Sequence, residues 1–362
     1  MVYKFGIIGL PNVGKSALFN AITKLDIPSK NFPFCTIAPN VGVVSVFDSR
    51  LKKIANCVSA INTVYSTVIL IDIAGLVQGA STGEGLGNKF LEKIKECHAL
   101  IQVVRFFKNN DIIHVYDNVD PSRDIGIINT ELLLSDLDLC EKIIQRYIVL
   151  IKKKDIINNI VINLIQRCIR ELQSGIFLKN VAFTTEELKV LKQYQFLTLK
   201  PMIYVLNMMN DIDLNVDINK FCKDNCIDIS TTFPVILHNA NKMISNNIND
   251  QLYKKNRCYS NSLDKNKFIK KLCDFLHLKT FFTAGPKEAR SWIFQAEKTA
   301  VQVANLIHTD FSKGFIRAQI ISYNDLINYR NINEIKRLGK IRSEGKKYVI
   351  QDGDIINFLF NV

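Results

Sequence analysis

Eight residues near the amino terminus, Gly9-Leu10-Pro11-Asn12-Val13-Gly14-Lys15-Ser16, satisfy the pattern G-x-x-x-x-G-K-[ST] in full. Gly9 and Gly14 let the backbone curl so that successive N–H groups point at phosphate oxygens. Lys15 is the cation for the β- and γ-phosphates, and the Ser16 hydroxyl is a ligand for Mg²⁺. A helical pattern follows, whose positive dipole end adds to the cradle. A second signature, Asp72-Ile73-Ala74-Gly75, stands at the end of the β-branched run Thr67–Ile71. An acid at the tip of a strand supports the same metal through water, and Gly75 offers an N–H to a γ-phosphate. Thr36, in Asn31-Phe32-Pro33-Phe34-Cys35-Thr36-Ile37, is placed to bind Mg²⁺ by its hydroxyl and release it after hydrolysis; the plainer alternative is a loop-capping threonine.

Beyond Gly75, Gly79, Gly83, Gly85 and Gly87 fall within nine residues and make a loop that nucleotide state can order. The residue after D-x-x-G is Leu76, which cannot hydrogen-bond an attacking water, so another group must position it. His114, in a loop after the Leu100–Val104 strand, is the candidate, with a structural histidine as the alternative. Base recognition belongs to the loop after Met202–Leu206, which reads Asn207-Met208-Met209-Asn210. It lacks the carboxylate of N-K-x-D that accepts two guanine N–H groups, so strict guanine selectivity is not expected, although Asp211 one residue later leaves a shifted reader open. Met208 is either packing or a cover for one face of the base.

The elements that must position these groups are legible in outline. Lys4–Ile8 is a strand that ends at Gly9, and Leu18, Phe19 and Ile22 continue at helical spacing. With Thr67–Ile71, Leu100–Val104 and Met202–Leu206 it gives a doubly wound α/β fold, a parallel sheet with helices on both faces. From Thr130 to Glu171 there is no Pro and no Gly, and Lys152-Lys153-Lys154-Asp155 makes a polar turn between two helices of roughly 20 residues, each about 30 Å long. This predicts a helical hairpin inserted at 130–199, or else a helical layer on the same core. Sheet-like sequence resumes over 200–278, after a first part at 1–129. Residues 279–362 predict a small mixed α/β domain, with a helix over Ala289–Leu306 and strands at Phe315–Ile321, Tyr348–Ile350 and Ile355–Phe360.

With 362 residues the chain has room for two or three domains. No stretch approaches the ~20 apolar residues of a membrane span, and the first residues lack a secretory cleavage site, so a cytoplasmic protein without a membrane partner is expected. Nine scattered cysteines, none at C-x-x-C spacing, read as buried thiols in a reducing compartment. The net charge of +13 gathers in two segments: residues 146–200 hold ten basic and four acidic side chains, and residues 279–362 hold thirteen and eight. RNA is the partner such segments fit; the alternative is compositional drift in a chain rich in Lys, Asn and Ile.

Taken together, these motifs resemble the YchF, or Obg-like ATPase, family of P-loop proteins. The likeness covers nearly the whole chain. Its most specific pieces are Gly9–Ser16, Asn31–Ile37, Gly75–Leu91, Phe282-Thr283-Ala284-Gly285-Pro286-Lys287-Glu288-Ala289-Arg290, His308-Thr309-Asp310-Phe311, Lys313–Ala318 and Gln351-Asp352-Gly353-Asp354. The resemblance implies a P-loop NTPase domain interrupted by a coiled-coil hairpin and followed by a ubiquitin-like (β-grasp) TGS domain. It implies ATP bound in preference to GTP, slow hydrolysis, and association with the ribosome or a subunit, with ribosomal RNA meeting the basic insertion and the TGS domain. Family ATP contacts map onto Asn12, Val13, Gly14, Lys15, Ser16, Ala17 and the backbone of Met208, with Asn207 near the base. Mg²⁺ maps onto Ser16 and Thr36, and the loop histidine of the family onto His114. Asn12 also matches the P-loop asparagine that coordinates potassium in related GTPases. One departure bears on the base: the family's loop is usually N-x-x-E, and position 210 is Asn. Two other readings stay open, a GTPase of the same fold and a nucleotide-gated RNA-binding module whose hydrolysis is incidental.

Overall fold

Along the residues described by the computed structural model (2–23, 40–73, 86–151, 156–208, 218–237 and 264–361) the chain begins β1 (Tyr3–Ile8), α1 (Lys15–Thr23), β2 (Val41–Ser45), α2 (Ser49–Cys57), β3 (Asn62–Val64) and β4 (Thr67–Asp72). There follow α3 (Leu86–Lys95), β5 (Ala99–Arg105), α4 (Pro121–Ile151), α5 (Ile156–Gln173), α6 (Thr185–Lys192), β6 (Met202–Met208), α7 (Ile218–Asp224) and β7 (Thr232–Ile236). The last third holds α8 (Lys265–Phe275), β8 (Leu278–Ala284), β9 (Glu288–Gln295), α9 (Ala300–Ile307) and α10 (Thr309–Lys313), then β10 (Phe315–Ile321), α11 (Tyr323–Tyr329), α12 (Ile332–Arg337), β11 (Arg342–Glu344) and β12 (Ile355–Phe360). Two compact units result: Tyr3–Gly42 with Ile69–Leu263, and Val43–Val68 with Asp264–Val362.

The first unit is organised by a six-stranded sheet of order β2-β4-β1-β5-β6-β7. β1 pairs in parallel with β5 (Phe5↔Ala99), β5 with β6 (Leu100↔Met202) and β6 with β7 (Tyr204↔Thr232). Every residue of β5 and β6 is buried, as expected of strands covered on both faces. The chain first builds outward on one side of β1 and then crosses to the other, which opens a crevice at the carboxyl end of β1.

The helical insertion has a core of its own. Cys140 and Ile143 of α4 meet Val161, Leu164, Ile165, Cys168 and Leu172 of α5, and Leu178, Leu191 and Phe196 close the cluster. Among the described residues no strand residue contributes to it. The expected start at Thr130 needs correction. Helix α4 begins at Pro121 and runs for 31 residues, about 46 Å. Asp120 accepts from the Arg123 N–H and Pro121 takes the first helical position, a cap-and-proline start. Gly126 lies inside the helix, where a Cβ would meet nothing. Asp136 ties α4 to the segment before β6, accepting from the Leu197 and Thr198 N–H groups and the Thr198 hydroxyl.

The second unit is a six-stranded sheet of order β11-β10-β12-β8-β9-β3. β8 and β9 form an antiparallel hairpin, β12 runs parallel to β8, and β3 adds in parallel to β9 (Asn62↔Glu288). Adjacent residues Phe281 and Phe282 feed opposite faces. Phe281 packs with Phe294 and with Ala300, Val303 and Ala304 of α9; Phe282 packs with Leu51, Ile54 and Ala55 of α2. This unit therefore exceeds the expected 279–362, because it starts at Asp264 and takes in residues 43–68. The helix expected over Ala289–Leu306 is also corrected. Ala289, Ser291 and Ile293 are buried in alternation, so Glu288–Gln295 pairs as a strand and only Ala300–Ile307 is helical. Tyr348–Ile350 forms no strand; Val349 makes an isolated bridge to Thr299.

Candidate nucleotide-binding site

β1 delivers the chain to Gly9 at the crevice. Gly9 has φ +147°, and a Cβ there would stand 2.6 Å from the Val103 carbonyl oxygen of β5, so only glycine lets the loop leave the sheet so closely. Gly14 has φ +104°, and its Cβ would stand 2.4 Å from Asn207 Nδ2. Asn12, at φ +61°, completes the curl. Helix α1 starts at Lys15, with the Leu18 N–H on the Gly14 carbonyl at 2.9 Å. Val13 is buried, whereas Asn12, Ser16 and Ala17 are exposed at the mouth.

Lys15 Nζ donates to the Leu10 carbonyl at 2.7 Å, across its own loop. Burial pushes its ammonium down to about 8, and Asp72 works against that shift. The Ser16 hydroxyl donates to Asp72 Oδ2 at 2.7 Å, while Asp72 Oδ1 is buried without a partner. A bare carboxylate oxygen beside a serine hydroxyl, at the end of a phosphate loop, is an oxygen donor set that fits hydrated Mg²⁺. Asp72 is fixed from behind by its own N–H on the Asn40 carbonyl and by the Ile73 N–H on the Ile7 carbonyl.

Asn207, at the end of β6, donates from Nδ2 to the Val13 carbonyl at 2.9 Å and so clamps the loop to the sheet. Its Oδ1 is buried without a partner. Met208 is fully buried at the end of β6. The structure thus gathers Asn12, Val13, Gly14, Lys15, Ser16, Ala17, Asp72 and Asn207 at one strand end. Thr36, Gly75, Leu76, Asn210 and Asp211 lie outside the described residues.

His114 is placed beside the loop but turned from it. Asn12 Nδ2 donates to the carbonyl of Ile113 at 3.1 Å, whereas the His114 ring is buried, with Nε2 2.9 Å from Asp124 Oδ2 and Nδ1 accepting from the Tyr116 N–H. Sequence reasoning missed Asp124 and Arg105. Arg105 is buried at the end of β5 and donates to the carbonyls of Phe107, Asn109 and Ile112, which frames the start of this loop. The Asp120-Pro121 start of α4 was the signal for Asp124, since it puts that carboxylate in the first helical turn. Arg105 carried none.

Residues 4–208 match the family model described as 50S ribosome-binding GTPase, and residues 278–361 match the YchF-GTPase C-terminal model, described as a protein of unknown function. The protein named ribosome-binding ATPase YchF of Buchnera aphidicola is 43% identical over 366 residues, and its namesake of Escherichia coli O157:H7 is 43% identical over 365, each covering 100% of both chains. The solved structure of the Schizosaccharomyces pombe YchF GTPase superposes with a TM-score of 0.82 at 32% identity, over 99% of this chain and 97% of that one.

Proposed function

This chain belongs to the YchF family of P-loop proteins, and from that premise we propose that it is a slow Mg²⁺-dependent ATPase that associates with ribosomes according to its nucleotide state. The Ser16–Asp72 pair carries this reading, because it sets a hydroxyl and a bare buried carboxylate oxygen beside Lys15 and the loop amides. Ser16 and Asp72 are the metal-side groups, with Thr36 as the switch ligand its motif suggests. Mg²⁺ held by these groups would offset negative charge on the nucleotide's phosphates. Lys15 exchanges its bond to Leu10 for a phosphate oxygen, and His114 orients the attacking water once its ring is free.

Asn207 supports adenine as the base. Its amide nitrogen is committed to Val13, which leaves a buried acceptor, and adenine presents an amino donor where guanine presents a carbonyl. Asn12 spends its amide nitrogen on Ile113, so its carbonyl oxygen is what it can offer to potassium; equal hydrolysis rates in sodium and potassium would remove that assignment. The ribosome reading is supported by the names of the curated relatives and by the two basic segments. We read the C-terminal unit as the TGS domain on its β8–β9 hairpin, the packing of α9 and the parallel β12–β8 pair, and we place the protein in the cytoplasm, with ribosomal RNA as the surface it meets.

Equilibrium binding of ATP and GTP to the full chain, with Mg²⁺ and potassium, is the test. ATP tighter by at least about tenfold, ~1.4 kcal/mol, is expected. Equal or tighter GTP binding overturns the base assignment, and unchanged ATP affinity in Lys15→Ala overturns the site. Ribosome co-sedimentation that is ATP-dependent and salt-sensitive is expected as well. Undiminished cycling on and off ribosomes by a non-hydrolysing variant makes hydrolysis incidental.

A further inference from the structure

The loop meets the phosphate loop through the backbone beside His114, whose ring is withheld. The preceding carbonyl, of Ile113, accepts from Asn12 of the phosphate loop at 3.1 Å, and the Ile113 side chain is 77% exposed. One residue on, the imidazole is only 4% exposed. Nδ1 accepts the Tyr116 N–H at 3.2 Å, so the ring proton sits on Nε2, which donates to Asp124 Oδ2 at 2.9 Å. Both ring nitrogens are committed, and neither has a lone pair left for water.

The surroundings divide the loop into a fixed half and a half that can turn. Arg105 holds the carbonyls of residues 107, 109 and 112, each at 3.0–3.1 Å. After that point His114 is kept by the Tyr116 N–H, by Asp124 and by a turn in which Asp117 adopts φ +58° and donates to the His114 carbonyl. Asp124 itself is built into α4. Its N–H bonds the Asp120 carbonyl, and its second carboxylate oxygen accepts from Arg123 at 3.2 Å. Anything that tilts the 31-residue helix moves the carboxylate that holds the histidine.

We propose that Asp124 is a positioning residue that stows His114 against the first turn of α4, so that nucleotide turnover is gated through the helical insertion. The inference rests on the reading of His114 as the group that orients water, and the experiment separates the two. Steady-state ATP turnover is measured for the full-length wild type, His114→Ala, Asp124→Ala and the double variant. Asp124→Ala removes the acceptor for Nε2–H and should raise kcat by about tenfold, the weight of one hydrogen bond to a charged group, with KM for ATP nearly unchanged. The rise should vanish in the double variant. Asp124→Asn, which keeps one acceptor oxygen, should fall between. Diethyl pyrocarbonate should modify His114 faster in Asp124→Ala than in the wild type. A His114→Ala loss of turnover together with an unchanged or lower rate in Asp124→Ala refutes the latch and leaves His114 standing. Normal turnover in His114→Ala refutes the reading of His114 itself. Nitrogen NMR of the imidazoles in the wild type gives a check free of folding effects: protonated Nε2 and bare Nδ1 are required at His114, and the opposite tautomer overturns the proposal.

Discussion

Gly14→Ala should injure the site through one identifiable neighbour. The new methyl would stand 2.4 Å from Asn207 Nδ2, far inside contact distance, on a backbone held at φ +104°. The dihedral alone costs about 1–3 kcal/mol for a residue with a side chain. Displacing Asn207 breaks its bond to the Val13 carbonyl and leaves a buried amide unpaired, worth about 1–3 kcal/mol more. The sum, about 2–6 kcal/mol, is large against a total stability of roughly 5–15 kcal/mol, yet the chain should still fold. Asn207→Ala alone should cost about 1–2 kcal/mol, from the same lost bond. Because both changes act on one contact, the double variant should be about 1–2 kcal/mol more stable than the sum of the singles. Urea unfolding of the four proteins measures this, and ATP titration should show binding lost in Gly14→Ala and not restored in the double, since the dihedral strain persists. Additivity within about 0.5 kcal/mol would show that the Gly14–Asn207 contact is not the cause.

Three further outcomes follow from other residues. Burial pushes the Asp136 carboxyl up to about 6 against the three hydrogen bonds it accepts. The folded chain then holds a proton that the unfolded chain has released, so this stabilisation is present below about pH 4 and is lost as pH rises through about 6. The stability difference between wild type and Asp136→Asn should shrink over that window, by on the order of 2–3 kcal/mol; a difference that grows with pH refutes the assignment. Arg105→Lys replaces three directed donors with one ammonium and should cost about 2–4 kcal/mol, with faster amide exchange at residues 107–112; wild-type exchange there would show that the guanidinium does not frame the loop. Arg50→Ala breaks half-exposed pairs with Asp48 and Asp352 and should cost about 1 kcal/mol, less at high salt; a salt-independent loss would mean that its stacking on Phe282 matters more than its charge.

What the sequence disclosed and what it hid have physical causes. The phosphate loop was legible because Gly9, Gly14, Lys15 and Ser16 are each demanded by backbone or phosphate chemistry at a fixed spacing. β5 and β6 were legible because strands covered on both faces are unbroken apolar runs. β9 was misread because Trp292-Ile293-Phe294 puts apolar residues side by side and blurs its alternation. The start of α4 was masked by Gly126, a residue that weakens a helix interior. β3 is three residues long and its partner lies more than 200 residues onward, so no local pattern marks it. Buried Arg105 depends on backbone carbonyls, and the inward turn of His114 on the Tyr116 N–H and the Asp124 carboxylate; backbone groups carry no sequence signature.

The joining of β3 and α2 to a unit completed only by Asp264–Val362 sets a schedule for synthesis. Residues 43–68 leave the ribosome roughly 200 residues ahead of the chain that covers them, about 10–40 s at 5–20 residues per second. For that interval Leu51, Ile54 and Ala55 have no Phe282, Ala289 or Ile355 to pack against. The nascent protein therefore carries an uncovered apolar helix face until its final segment emerges, and a messenger truncated before residue 264 yields a product that keeps it permanently.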